Sequence, residues 1–206
     1  MTIKTRFALT LLLAAGAALT QTACVPLVVG GAMVGGAMVA SDRRTSGIQV
    51  EDQSIELKAG RRISEQLGDR VHINTNSYNR VVLLTGETRN DADKAAAERV
   101  ARGVENVQHV INEIEVGMLS SLSSRANDVA IATKVRATLL DAPELMSNAF
   151  YVVVERGNVY LMGRVTEREA TRASELVRGI KGVNKVVRTF ELISEEELAR
   201  ITPKKN

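Results

Sequence analysis

The chain has 206 residues, 45% of them hydrophobic and 25% charged, with no Trp, three Phe and three Tyr; this is a globular composition whose core must come from Val, Ile, Leu and Ala, with too few rings to stack a run of bases. The formal charge of +3 falls to 25 basic against 24 acidic side chains once Lys4 and Arg6 are set aside in a segment read as removed, which leaves no basic excess for nucleic acid. One cysteine excludes an intramolecular disulfide, and His72 and His109 alone cannot assemble a zinc-type Cys/His cluster.

Residues 1–23 read as a secretory signal. Lys4 and Arg6 form the positive start, Phe7 to Leu19 an apolar stretch of 13 residues, and Ala23 the small residue before cleavage. Thirteen residues fall short of the roughly 20 that a spanning helix needs. Cys24 follows directly, and Thr22-Ala23-Cys24 resembles the end of a bacterial lipobox, with Gln21 standing where an aliphatic residue is usual. Lipidation of Cys24 is the leading reading; cleavage after Ala23 to leave a free thiol is the alternative. Val25 in place of Asp makes outer-membrane sorting the default. Residues 25–40 are 16 uncharged residues that repeat the phrase VGGAM, at 29–33 and 34–38. Pro26 and four glycines argue for an apolar tether over a second span, while the Gly31/Gly35 spacing leaves helix pairing open.

From there the chain repeats itself. Ile55, Ala59 and Ile63 give one apolar helical face, and Ile131, Val135 and Leu139 give another. Each helix is followed by a hairpin, 71–86 and 148–163, with turns at Asn79-Arg80 and Arg156-Gly157 and a glycine, Gly86 or Gly163, ending the second strand. These two glycines are read as structural, permitting close packing or an unusual backbone angle. Second helices are predicted over Asn90 to Val104 and Thr166 to Ile180, with Thr166 and Glu169 making a capping box. Closing strands are predicted at 107–116 and 183–192. The Gly/Ser-rich stretch 117–128 reads as a linker, and Ser194 with Glu197 opens a short terminal helix that Pro203 ends.

The order, the strand-end glycine and the closing phrase Gly182-Val183-Asn184-Lys185-Val186, with Asn106 replacing its glycine in the first copy, resemble the BON domain. The whole layout, covering about residues 24–193, is similar to the dual-BON outer-membrane lipoprotein family of proteobacteria, the DolP or YraP type. The resemblance implies an α+β fold: two tandem BON domains, each αββαβ with a three-stranded mixed sheet packed on two helices. The expected divisions are signal 1–23, lipidated cysteine and tether 24–47, first domain 48–116, linker 117–124, second domain 125–193 and tail 194–206.

No nucleophile, phosphate-loop or metal constellation is visible, so no catalytic residue, metal site or cofactor is expected. Each histidine reads as a partly exposed strand residue. Charge divides unequally: residues 51–116 hold 9 basic and 12 acidic side chains, whereas 125–193 hold 11 and 8. The second domain is therefore the natural partner of an anionic surface. On its first helix Val129, Ala130, Thr133, Lys134, Arg136, Ala137, Leu140 and Asp141 lie off the apolar face, where small apolar groups beside cations suit lipid headgroups. A solvated helix face is the plain alternative. The family resemblance implies that this helix binds anionic phospholipid such as phosphatidylglycerol, on the periplasmic face of the outer membrane, in support of envelope integrity and at division sites. Where the best-known member of that family has a Trp for the membrane interface, this chain has Ala130. The competing readings are a scaffold for envelope proteins and a soluble stress protein resembling OsmY.

Overall fold

The computed structural model describes residues 42–201. The signal segment, Cys24, the doubled VGGAM phrase and Pro203 lie outside the described residues.

The first domain opens with α1 (Ser46–Leu67), whose first turn is closed by Thr45 Oγ1 accepting from Ile48 N–H. A short 3₁₀ turn leads into β1 (Val71–Tyr78) and β2 (Val81–Thr88), then α2 (Asp91–Arg102), β3 (His109–Asn112) and β4 (Glu115–Val116). The second domain repeats this with α3 (Leu122–Leu140), β5 (Tyr151–Glu155), β6 (Asn158–Val165), α4 (Glu167–Arg178) and β7 (Lys185–Leu192); α5 (Glu195–Ile201) follows. In each sheet the hairpin pair is antiparallel and the closing strand joins the central strand in parallel, because the intervening helix supplies the crossover that a parallel pair requires.

Several boundaries differ from the sequence pattern for local reasons. Asn90 and Thr166 cap α2 and α4 from outside, and Gly103 and Gly179 end them. The Thr166–Glu169 capping box forms in full. Ser121 Oγ accepts from Ser124 N–H, so the predicted linker becomes helix from Leu122 onward. The closing strand of the first domain is interrupted at Glu113 and Ile114, where Asn112 Oδ1 takes the Ile114 N–H, so that sheet counts four strands. Ser194 caps α5, but the Glu197 carboxylate turns to Arg164.

One face of each sheet packs on its own two helices. Ile55, Ala59 and Ile63 meet Val82, Leu84 and the alanines of α2; Ile131, Val135 and Leu139 meet Val159, Leu161 and Ala170 of the second domain. Each fully buried Ile or Leu among them contributes about 1.5–3 kcal/mol. Alanines on α2 and α4 let those helices approach the sheet closely. The opposite faces pack on each other. Tyr78 and Leu83 of the first sheet join Tyr160 and Met162 of the second in a separate core, edged by Val81, Ile111, Tyr151, Val153 and Val187.

Both hairpins are pinned by an acidic residue that the apolar pattern does not reveal. Asn79, Arg80, Arg156 and Gly157 all have positive φ, which for the two arginines costs about 1–2 kcal/mol each. Buried Asp52 on α1 accepts the Asn79 and Arg80 N–H groups and the Ser77 hydroxyl, all within 2.8 Å. Buried Asp128 on α3 accepts those of Arg156 and Gly157 at 2.9 and 2.8 Å. Charge-assisted bonds to two turn N–H groups offset the strained conformation and fix the register of each hairpin.

The segment before α1 belongs to both domains. Arg43 is 9% exposed and grips Glu169 with both guanidinium arms, at 2.8 and 2.7 Å, while also donating to Arg164 O. Arg44 pairs with Asp42 and Asp52 and lies 4.1 Å from the ring centre of Tyr78. Burial works to raise the Glu169 carboxyl, but the Arg43 guanidinium and the Thr166 N–H hold it below the usual range.

Removing Arg43 leaves Glu169 buried without its partner, so Arg43→Ala is expected to cost about 3 kcal/mol in denaturant unfolding, and deletion through Arg44 at least as much. Gly86 and Gly163 have φ of +112° and +152°, and a Cβ there would overlap the carbonyl oxygen of His72 or Ala149. Gly163→Val is expected to cost about 3 kcal/mol or more, lowering Tm by roughly 6 °C, read by calorimetry against wild type.

Candidate functional site

The α3 helix buries Asp128, Ile131, Ala132, Val135 and Leu139 and turns its other side to solvent. All eight residues singled out from the sequence, Val129, Ala130, Thr133, Lys134, Arg136, Ala137, Leu140 and Asp141, are exposed. Seven belong to the helix, and Asp141 is its C-cap.

The exposed side is apolar along a line. Leu122, Val129 and Leu140 are 82%, 68% and 71% exposed, and their spacings of seven and eleven residues are close to two and three turns, so they share a stripe. Thr133 lies on it with its hydroxyl turned back to donate to Val129 O. Leu122 sits in the stretch read as linker, which is why the sequence pattern missed it; the apolar residue seven before Val129 was the available signal.

Two cations flank the stripe differently. Lys134 is exposed and forms no ion pair among the described residues. Arg136 leans across the helix edge and donates to Val152 O at 3.2 Å, so part of its donor capacity is used on β5. Asp128 and Arg136 contact the two ends of the β5 region, so α3 runs antiparallel to β5 and parallel to β6. Leu140 therefore lies toward the end of the second sheet where Arg43 enters beside Arg164.

A second constellation lies at the opposite rim of the sheet-to-sheet interface. His72 and Glu87 are cross-strand partners on β1 and β2, and Glu155 ends β5 facing them. Glu87 and Glu155 are buried and His72 is half-buried. Burial pushes the Glu155 carboxyl up to about 7, against the Asn74 amide that donates to it, and the Glu87 and Asp128 charges push the same way. Burial also lowers the His72 imidazole, with Arg125 nearby adding to the effect. A cleft of about 440 Å³ opens beside these groups, lined also by Asn74, Arg125 and Asp128. The sequence reading of His72 as a strand residue holds for its backbone but omits these neighbours; the two-residue turn at Asn79-Arg80 does pair His72 with Glu87, whereas nothing local brings in Glu155.

The BON domain model matches this chain twice, over residues 51–118 and 127–193. Outer membrane lipoprotein DolP of Haemophilus influenzae is 33% identical over 180 residues, which is 86% of this chain and 93% of that protein. A 21 kDa hemolysin of Actinobacillus pleuropneumoniae is 31% identical over 154 residues, 74% of this chain and 79% of its own. The osmotically-inducible protein Y of Escherichia coli is 29% identical over 117 residues, 55% of this chain and 58% of its own.

Proposed function

The chain belongs to the BON-domain family as a dual-BON protein of the DolP type, and from that premise we propose that it is a non-enzymatic outer-membrane lipoprotein, anchored through Cys24, whose second domain binds anionic phospholipid at the periplasmic leaflet and supports envelope integrity, including at division sites. The observation that carries the lipid-binding reading is the outer side of α3: three large aliphatic side chains, each more than two-thirds exposed, in line beside Lys134 and Arg136. Soluble monomers rarely leave such residues in a row without a surface to meet. Aliphatic groups enter the headgroup boundary while each cation adds about 1 kcal/mol near an anionic leaflet.

The entry of the chain supports this reading. Arg43 ties the segment before α1 to the second domain, at the end of the sheet toward which Leu140 lies. An acyl anchor about 18 residues upstream would keep that end within about 60 Å of the bilayer by chain length alone. No described helix is long and apolar enough to cross a membrane, so attachment through acyl chains carries the anchoring in this reading. With Ala130 in place of an interfacial Trp, affinity leans on Leu122, Val129 and Leu140 and on charge.

A second reading rests on the first domain. Val50 and Leu57, seven residues apart on α1, are each 68% exposed on the more acidic domain, and they offer an envelope protein a contact independent of lipid. Replacing both with Glu is expected to leave lipid binding unchanged; loss of envelope function in cells carrying that variant would favour this reading.

Protein lacking residues 1–24 is expected to float with liposomes containing phosphatidylglycerol and to remain in solution with neutral liposomes. Leu140→Asp together with Val129→Asp should reduce the floated fraction at least tenfold, with no change in circular dichroism. Equal failure to float with both liposomes would overturn the lipid reading. For the anchor, labelled palmitate should enter wild type and not Cys24→Ala.

A further inference from the structure

We propose that His72, Glu87 and Glu155 bind a single divalent transition-metal ion of the zinc class, which bridges the two BON domains at one rim of their sheet-to-sheet interface. One nitrogen and two carboxylate oxygens from these residues lie within 4.8 Å of one another. Ligand atoms in a tetrahedral zinc shell stand about 3–4 Å apart, given bonds of about 2 Å, so small rotamer adjustments close the shell. Two ligands come from the first domain and the third from the second.

The second observation is an orphaned oxygen. Glu87 is fully buried, and its Oε1 has no hydrogen-bond partner. The guanidinium Nη1 of Arg156 stands 4.0 Å away, beyond hydrogen-bond reach. A buried carboxylate oxygen left bare is costly, and a cation among His72, Glu87 and Glu155 satisfies it. The other oxygens of the two carboxylates are already oriented: Glu87 Oε2 accepts from Ser120 N–H at 3.2 Å and Glu155 Oε2 from Asn74 Nδ2 at 2.7 Å. Such supporting bonds are what metal-ligating carboxylates carry in their surroundings. The adjoining cleft admits water for the remaining coordination position. A mixed imidazole and carboxylate set suits zinc and its first-row neighbours better than calcium or magnesium, which favour all-oxygen shells.

The test uses the full chain in detergent, stripped with a chelator, then titrated with Zn²⁺ alone by calorimetry and followed by thermal melting. The expected result is saturable binding of one ion per chain, with Tm raised by about 5 °C or more at a hundredfold excess over Kd. His72→Asn and Glu155→Gln should each weaken binding at least tenfold, whereas His109→Asn, on an exposed strand position, should not. Co²⁺ should give a visible absorption band that His72→Asn abolishes, a readout that does not depend on stability. Absence of saturable Zn²⁺ binding by wild type would overturn the proposal, as would binding that survives both His72→Asn and Glu155→Gln, or Mg²⁺ binding of equal strength.

Discussion

A sheet has two faces, and the two helices of one BON unit cover only one of them. That constraint organises the molecule. The uncovered face of the first sheet presents Tyr78, Val81, Leu83 and Ile111, and that of the second Tyr151, Val153, Tyr160, Met162 and Val187. Burying each against the other gives both sheets a dry side without further elements. The helices are thereby pushed to the outside, and the long first helix of each domain keeps one side free for other work.

The rims of that interface are polar, and they fix how the two sheets meet. At one end Asn79 donates to Glu191, the Tyr78 hydroxyl accepts from Arg164 N–H, and Arg43 locks onto Glu169. At the other end Asn158 donates to Glu115, Arg156 approaches Glu115 at 3.5 Å, and Asn74 donates to Glu155. The acidic surplus of the first domain and the basic surplus of the second meet in one of these pairs, Arg156 with Glu115. Apolar packing supplies the drive, while the rim pairs exclude sliding, since any shift leaves partly buried charges unmatched.

The Arg43 grip ties chain entry to orientation. The capping box at the start of α4 uses Glu169 to satisfy the backbone of Thr166, and the same carboxylate receives Arg43. A residue upstream of the first domain is therefore held by a helix start in the second. The exposed stripe of α3 gains a fixed relation to the point where the chain enters the folded pair, which a free tether would not supply.

The repeated units, their element order, the helix faces built on Ile55 and Ile131 and the hairpin turns follow from the sequence by itself, because periodicity, turn chemistry and capping act over a few residues; Gly86 and Gly163 read as strand ends, whereas their strands run two residues further, to Thr88 and Val165. The pinning aspartates share a position, Asp52 and Asp128 each standing three residues before the first core isoleucine of their helix, but the apolar pattern does not reveal what they hold. The exposure of Val129 and Leu140 was legible from helical spacing. Only the tertiary structure decided that the two sheets stack face to face, that Arg43 reaches across 126 positions to Glu169, that Arg136 spends a donor on Val152 O, and that Glu155 joins His72 and Glu87. Those contacts depend on which faces are left uncovered after each unit has folded, a property of three-dimensional packing that no local spacing along the chain encodes.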